Sequence, residues 1–487
     1  MIRKIICAAI ILAAVSPVSY AAEISPFSDI KDGETIYFDF GETPYDGWIT
    51  VNDRTKYNKD RGYGFSMISY VENETSSGGN VLSDAVKIND FGSDGVSFNV
   101  DLPDGIYEVS VYSGNIRYMS IGMEGHPAII NLENENSEGR AEIPVKDGQL
   151  NITFLKGNSG TDYSIAAMSV TRKSSLDQRR RRIFICGDSL AASYYPLFMQ
   201  QPLEEGYRGG WGQMLQNFIS DEYYVHNMSS IGQTAKGFIE SGQLDAVLAF
   251  SEPDDYAVIS YGYNDTSAYG EEEYSIYLNE IISSLKSKGC IPIICSEPAS
   301  LSEFDSGKYI YNDNRYENAA RTVATENDVL YIDLHSATAK YLSSLKPESV
   351  STLFWTQWNG EKDTLHLNRN GSGQTARIFA SECAAEGLDD FTVSTDGELS
   401  EDPRLSCTKE KNTVYLQNYA PYEISVRLIT NGYRAGAVNE SEITDITLNA
   451  YDVVDPQPAQ SFYAPLYVRT NRSFIIGSGI TIELSDQ

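Results

Sequence analysis

Histidine, cysteine and cations are all scarce in this sequence, and each scarcity removes a class of function. Only four histidines occur in 487 residues, so histidine-dependent chemistry has few places to sit. His-Glu-x-x-His, Cys-x-x-Cys and phosphate-loop patterns are absent, which predicts no catalytic metal, no nucleotide and no other cofactor. Lysine and arginine number 37 against 68 acidic residues. The resulting net charge of −31 repels nucleic acid and anionic membrane surfaces over long range, and leaves structural calcium as the one ion such composition suits. Past residue 22 no apolar run is long enough to cross a bilayer, so membrane insertion is not expected. Six cysteines are too few for a disulfide scaffold. Cys186, Cys290 and Cys295 sit in or beside apolar runs and read as buried free thiols, whereas Cys383 and Cys407 pair only if the domains carrying them touch.

What is present begins with an export pattern. Arg3 and Lys4 precede the apolar run Ile5 to Val15, and the small residues Ser19 and Ala21 set a cleavage point after Ala21. Residues 1–21 therefore read as a signal peptide and the remainder as a secreted, soluble protein of two to four domains. Residues 28–172 carry short strand patterns and no long helical one, which predicts a β-sandwich. Within it the alternation of Val96, Phe98, Val100 and Leu102, the turn Pro103-Asp104-Gly105 and the run Tyr107 to Tyr112 predict a hairpin. Arg179 to Arg182 close a basic linker at 173–182 and offer a protease site.

The pattern changes at Ile183. Buried strand runs at 183–186, 223–225, 256–261, 291–295 and 329–332 alternate with helical faces such as Tyr274, Tyr277, Leu278, Ile281, Ile282 and Leu285. Strand-helix alternation over 183–388 predicts an α/β domain, a parallel sheet with helices on both faces. Residues 391–487 return to strand patterns and read as a small C-terminal β domain of unassigned role.

The chemistry is sought at strand ends, because open α/β sheets bind ligands at the carboxyl edge. Gly187-Asp188-Ser189-Leu190 follows the first buried strand directly and presents a serine hydroxyl there. Of the histidines, His126 falls beside Gly125 and Pro127 in a turn, and His226 ends the second strand with a structural role favoured. His335, two residues after Asp333 at the end of the fifth strand, gives a runner-up pair on one side of that strand. His366 in Asp363-Thr364-Leu365-His366 is the preferred base, since an aspartate three residues earlier folds back onto the ring and leaves Nε2 free to accept the serine proton. Oxyanion donors are the Ser189 N–H, the Gly232 N–H after strand two and the Asn264 amide after strand three.

Gly187-Asp188-Ser189, Gly232, Gly262-x-Asn264 and Asp363-x-x-His366 resemble the four blocks of the SGNH (GDSL) hydrolase family, in its rhamnogalacturonan acetylesterase-like branch. Phe38 to Gly41 and Gly62 to Phe65 match a pattern of that branch's N-terminal domain, and Leu190, Tyr263 and Gln233-Thr234 depart from its usual residues. The resemblance covers roughly 35–385 and implies a flavodoxin-like three-layer α/β/α fold. It also implies metal-free serine deacetylation of an acetylated polysaccharide or oligosaccharide of the pectic kind. Two other readings stay open: the same chemistry on another ester (acetyl-xylan, lipid or thioester), and a non-catalytic glycan-binding protein. For the N-terminal domain, sugar binding and structural docking stand level.

Overall fold

The computed structural model describes residues 26–388, apart from 77–79, 90–94, 158–162, 196–207, 221, 306–307, 312–314, 346 and 358. Beyond 388 it describes Thr392 and the backbone of the strands between 405 and 486. The expected signal peptide and the Cys407 side chain lie outside the described residues.

Residues 35–174 form two facing sheets, one seven-stranded and one five-stranded. Strand alternation turns one side of each sheet inward. Phe38 and Phe40 from one sheet meet Phe65 and Phe98 from the other, with ring centroids 5.1–6.1 Å apart at edge-on angles. All four rings are fully buried. The expected hairpin across Pro103-Asp104-Gly105 does not form. Ser97–Asp101 pairs with Gln149–Lys156 in the five-stranded sheet, while Gly105–Ser113 pairs with Glu138–Val145 and Ser164–Ser174 in the other. Phe98 and Val100 on the first strand, and Tyr107, Val109 and Val111 on the second, must fill one core from opposite sides, and the turn carries the chain between sheets to achieve this. His126, expected in the turn, opens the strand His126–Glu133 instead, because Glu124 and Gly125 complete the turn at φ 52° and 80°.

The α/β unit is built on five parallel strands: Arg181–Gly187, Tyr223–Asn227, Tyr256–Ser260, Ile291–Cys295 and Leu330–Ile332. Their spatial order is second, first, third, fourth, fifth, the doubly wound flavodoxin-like order. The order in which strands are added reverses between the first and third strands, so the crevice for a ligand opens at their carboxyl ends. Ile183 and Ile185 face one helical layer with Trp211, Leu215 and Phe379; Phe184 and Cys186 face the other with Phe238, Leu278 and Ile282. Helix Glu271–Lys288 carries three glutamates in its first turn, two lysines in its last and Gly289 at φ 88° beyond it, a complete set of end signals. Cys186, Cys290, Cys295 and Cys383 are buried free thiols.

The basic linker expected at 173–182 is not an open segment. Ser164–Ser174 continues as strand, and Arg181 and Arg182 already belong to the first parallel strand. Arg179 pairs with Asp255 at 3.0 Å, Arg180 with Glu142 at 2.6 Å, and Arg182 is wholly buried. The arginine side chains of this stretch are thus held by partners or buried, not presented on an open linker. Past 400 the strands Leu405–Glu410, Thr413–Asn418, Ile424–Arg434, Ala437–Leu448 and Thr481–Asp486 pair in two sheets.

The four-ring cluster yields a stability prediction. Phe98→Ala leaves a cavity at its centre and lowers the unfolding free energy by about 3–5 kcal/mol, measurable by urea denaturation of the whole chain. A loss below about 1 kcal/mol contradicts the packing described.

Candidate active site

Ser189 lies two residues past the end of the first parallel strand, 6% exposed. The Asp188 carboxylate accepts the Leu190 N–H at 2.8 Å, and the Asp188 carbonyl accepts from Ala192 at 2.9 Å, so the chain bends sharply around the serine. Tyr194 donates its hydroxyl to the Ser189 carbonyl at 2.7 Å and fixes the far side of that bend. His366 arrives from a different part of the chain, on Lys362–Leu367, which pairs with Phe354–Thr356. Its Nε2 stands 3.0 Å from Ser189 Oγ.

Asp363 folds back as the three-residue spacing requires. One oxygen accepts the Leu365 and His366 backbone N–H groups, each at 2.8 Å, and the other faces His366 Nδ1 at 3.1 Å. Burial opposes the Asp363 charge, but the bonds from the imidazole and from the two backbone groups outweigh it and hold the carboxyl down at about 2. It is thus ionised at neutral pH. A proton on Nδ1 directed at Asp363 leaves the Nε2 lone pair for the serine hydroxyl.

The expected oxyanion donors gather on the same edge. Gly232 adopts φ 71°, the left-handed region that a residue without Cβ enters freely. Gly262 at φ 149° lies against the Arg315 carbonyl, where a Cβ would come within 2.0 Å. Among the described residues neither the Ser189 N–H nor the Gly232 N–H has a hydrogen-bond acceptor. Asn264 differs: its Nδ2 donates to Asp188 Oδ2 at 2.8 Å and to the Gln233 carbonyl at 3.1 Å, so both of its N–H groups are engaged.

Behind these groups stands a buried charged column that motif reading misses, because its members are brought together from distant parts of the chain. Glu297 accepts the Tyr263 N–H at 2.9 Å. Burial and the neighbouring Asp188 carboxylate push the Glu297 carboxyl well up. Arg315 lies 3.8 Å from Glu297 and grips Glu303 with two contacts of 3.1 Å. His335 donates Nε2–H to Glu303 at 2.9 Å and faces Glu317 with Nδ1 at 2.5 Å. The runner-up pair therefore dissolves. The fifth strand ends at Ile332, Asp333 caps helix Leu334–Ser344 by accepting the Ser336 N–H, and His335 turns inward on the helix's first turn.

The N-terminal sandwich reaches the site through strand His126–Glu133. Asn131, 6% exposed and at φ 51°, donates to Ser230 Oγ at 2.9 Å on the loop that carries Gly232. His226, expected to be structural, donates Nε2–H to the Ala128 carbonyl at 2.9 Å, and burial pushes its pKa down to about 4. Arg208 sits between the rings of Tyr194 and Trp355, 4.6 Å from each centroid.

A serine, an imidazole and an ionised carboxylate joined in sequence at the switch point of a flavodoxin-like sheet define an SGNH-type serine hydrolase. Residues 185–373 match the GDSL-like lipase/acylhydrolase family, and residues 36–171 match the galactose-binding-like domain of β-agarase/YxiM-type esterases. The chain is 34% identical over 361 residues to the uncharacterized esterase YxiM of Bacillus subtilis, covering 73% of this chain and 92% of that protein. The crystal structure of B. subtilis YxiM superposes with a TM-score of 0.67 at 34% identity, over 73% of this chain and 99% of that one. The rhamnogalacturonan acetylesterase RhgT of B. subtilis is 27% identical over 230 residues, 45% of this chain and 96% of that protein. The chain belongs to the GDSL-like family and is a serine esterase.

The buried column carries a pH prediction. Although burial opposes its charge, hydrogen bonding to the Glu303 and Glu317 carboxylates raises the His335 pKa to about 9. A raised pKa stabilises fully below the unfolded value near 6.5, and that contribution disappears as pH climbs through about 9. Unfolding free energy should fall from pH 6.5 to 9 in the parent chain, and His335→Gln should flatten this slope. An unchanged slope in the variant contradicts the assignment.

Proposed function

We propose that the protein is a secreted carbohydrate esterase that removes acetyl groups from a plant cell-wall polysaccharide of the pectin or rhamnogalacturonan kind. The observation that carries the chemistry is the continuous chain Asp363–His366–Ser189, with contacts of 3.1 and 3.0 Å. For the substrate, the support is the likeness to RhgT and to the probable rhamnogalacturonan acetylesterase YesY of B. subtilis, 28% identical over 213 residues. The N-terminal sheet adds an outward aromatic group, Tyr37 and Tyr45 about the Trp48 ring at 4.8 and 6.1 Å, of the kind that stacks on sugar faces. Residues 1–22 support export by their sequence pattern.

In this reading Ser189 Oγ attacks the acetyl carbonyl while its proton passes to His366 Nε2. Asp363 stabilises the imidazolium that forms. The Ser189 and Gly232 N–H groups, which have no acceptor among the described residues, receive the oxyanion. Asn264 joins them by exchanging its longer bond, the one to the Gln233 carbonyl, for the oxyanion. His366 then hands its proton to the departing sugar oxygen. A water molecule, deprotonated by the same imidazole, releases acetate from Ser189.

Acetate release measured on acetylated pectin, xylan and mannan tests the substrate, with the highest kcat/KM expected on the pectic polymer; preference for xylan or mannan overturns that part alone. Ser189→Ala should abolish release while leaving the thermal unfolding transition in place. Asn264→Ala should lower kcat by about 10²–10³-fold. Undiminished turnover in Ser189→Ala refutes the mechanism.

A further inference from the structure

Arg208 stands at the site without a part in the serine mechanism. It pairs across an isolated antiparallel bridge with Asn368, two residues past His366, and the adjoining Gly209 N–H donates to the Leu367 carbonyl at 3.1 Å. By strand geometry its Cα lies roughly 8 Å from that of His366. Its guanidinium carbon is 4.6 Å from the centroid of each of two rings. Tyr194 belongs to the bend that carries Ser189 and donates to the Ser189 carbonyl at 2.7 Å. Trp355 belongs to Phe354–Thr356, the strand paired with the one that carries His366. Arg208 therefore touches both elements that bring the serine and the histidine together.

A guanidinium packed on rings keeps its N–H donors in its own plane, where they point past the rings. Among the described residues those donors meet no hydrogen-bond acceptor and no carboxylate at ion-pair distance. The side chain is half-buried, and its nitrogens are not among the buried polar atoms that lack partners, so they are open to solvent. Glu133, at the end of the sandwich strand His126–Glu133, feels the Arg208 charge. Burial nevertheless pushes its carboxyl up, and its oxygens are engaged by the Tyr118 hydroxyl and the Tyr195 N–H. Two other cations near the site are committed. Arg315 is buried against Glu303 at 3.1 Å, and Lys362 turns back on the Thr356 hydroxyl at 2.7 Å and the Phe354 carbonyl at 3.3 Å.

We propose that Arg208 binds the carboxylate of an acidic sugar unit at or beside the acetylated position, and so selects polymers that carry uronic acids. The inference rests on the pectic reading of the substrate, whose galacturonate units supply that group. A carboxylate matches the guanidinium fork with two parallel N–H···O bonds. The contact also answers a difficulty of charge. An acidic polymer meets a chain of net charge −31 against long-range repulsion, and a cation at the site itself supplies the local attraction that offsets it. Because Arg208 rests on rings tied to the Ser189 bend and the His366 hairpin, a carboxylate seated on it places the nearby ester relative to the nucleophile.

Acetate release by the full chain decides the matter, measured on acetylated oligogalacturonides and on the same oligosaccharides after reduction of their carboxyls to alcohols. The parent's kcat/KM should be at least about tenfold higher on the acidic form, the worth of a charge-assisted pair, and this preference should shrink as salt rises. Arg208→Met, which still packs between the rings, should bring the ratio of the two forms close to one, chiefly by raising KM on the acidic form. Arg208→Lys keeps the charge but not the fork and should give an intermediate ratio. Equal kcat/KM on the two forms in the parent overturns the proposal and leaves the pectic reading standing. A ratio that Arg208→Met leaves at the parent value does the same, and would make the arginine a packing residue of Tyr194 and Trp355. Acetate release from acetylated xylan, with neither oligogalacturonide form hydrolysed, overturns the pectic reading and the proposal together.

Discussion

The bond between His366 and Ser189 spans 177 residues of sequence, and most of the α/β unit serves to make it 3.0 Å long. One end is set by the first strand and the tight bend after it, held by Asp188 and Tyr194. The other end is set by a short hairpin whose aspartate uses one oxygen to fix its own backbone and the other to orient the ring. Neither end touches the other through secondary structure. Their meeting depends on the sheet order, which places the first strand inside the sheet between the second and third and leaves its carboxyl end open to the hairpin.

The interior behind this bond is ionic where a plain stability argument would ask for hydrocarbon. Asp188, Glu297, Arg315, Glu303, Glu317 and His335 are each at most 4% exposed. Such groups gain little net stability over apolar replacements, yet removing one partner strands another charge at a cost of about 3–5 kcal/mol. What the column does provide is direction. Glu297 anchors the Tyr263 backbone, and Asp188 holds Asn264 and the Leu190 N–H, so two neighbouring buried carboxyls fix the third-strand loop and the nucleophile bend. The sandwich contributes on the other side through Asn131 and Ser230, which makes the N-terminal domain part of the frame around the Gly232 loop.

Much of this was legible in the residues. Five buried runs spaced by helical faces gave the parallel strands, and four histidines left a short search for the base, ended by the three-residue spacing of Asp363 and His366. What failed did so for physical reasons. Pro103-Asp104-Gly105 is a valid turn, but turn chemistry does not say whether the flanking strands pair or face each other across a core. His335 and Asp333 looked like a pair on a strand because the sequence does not mark Ile332 as the last strand residue; the Asp333 cap decides it. The arginines at 179–182 read as a linker because their partners, Glu142 and Asp255, come from two different domains. The Asp188–Glu297–Arg315 column left no local signature at all.

The central claim is that Ser189 is the atom that becomes acylated. Brief reaction with a fluorophosphonate, which mimics the ester and stays attached, followed by peptide mass spectrometry, addresses it without any assumption about the sugar. The account predicts a single adduct on the peptide containing Ser189, formed much more slowly in His366→Ala. An adduct on another residue, or labelling that proceeds equally fast without His366, would contradict it.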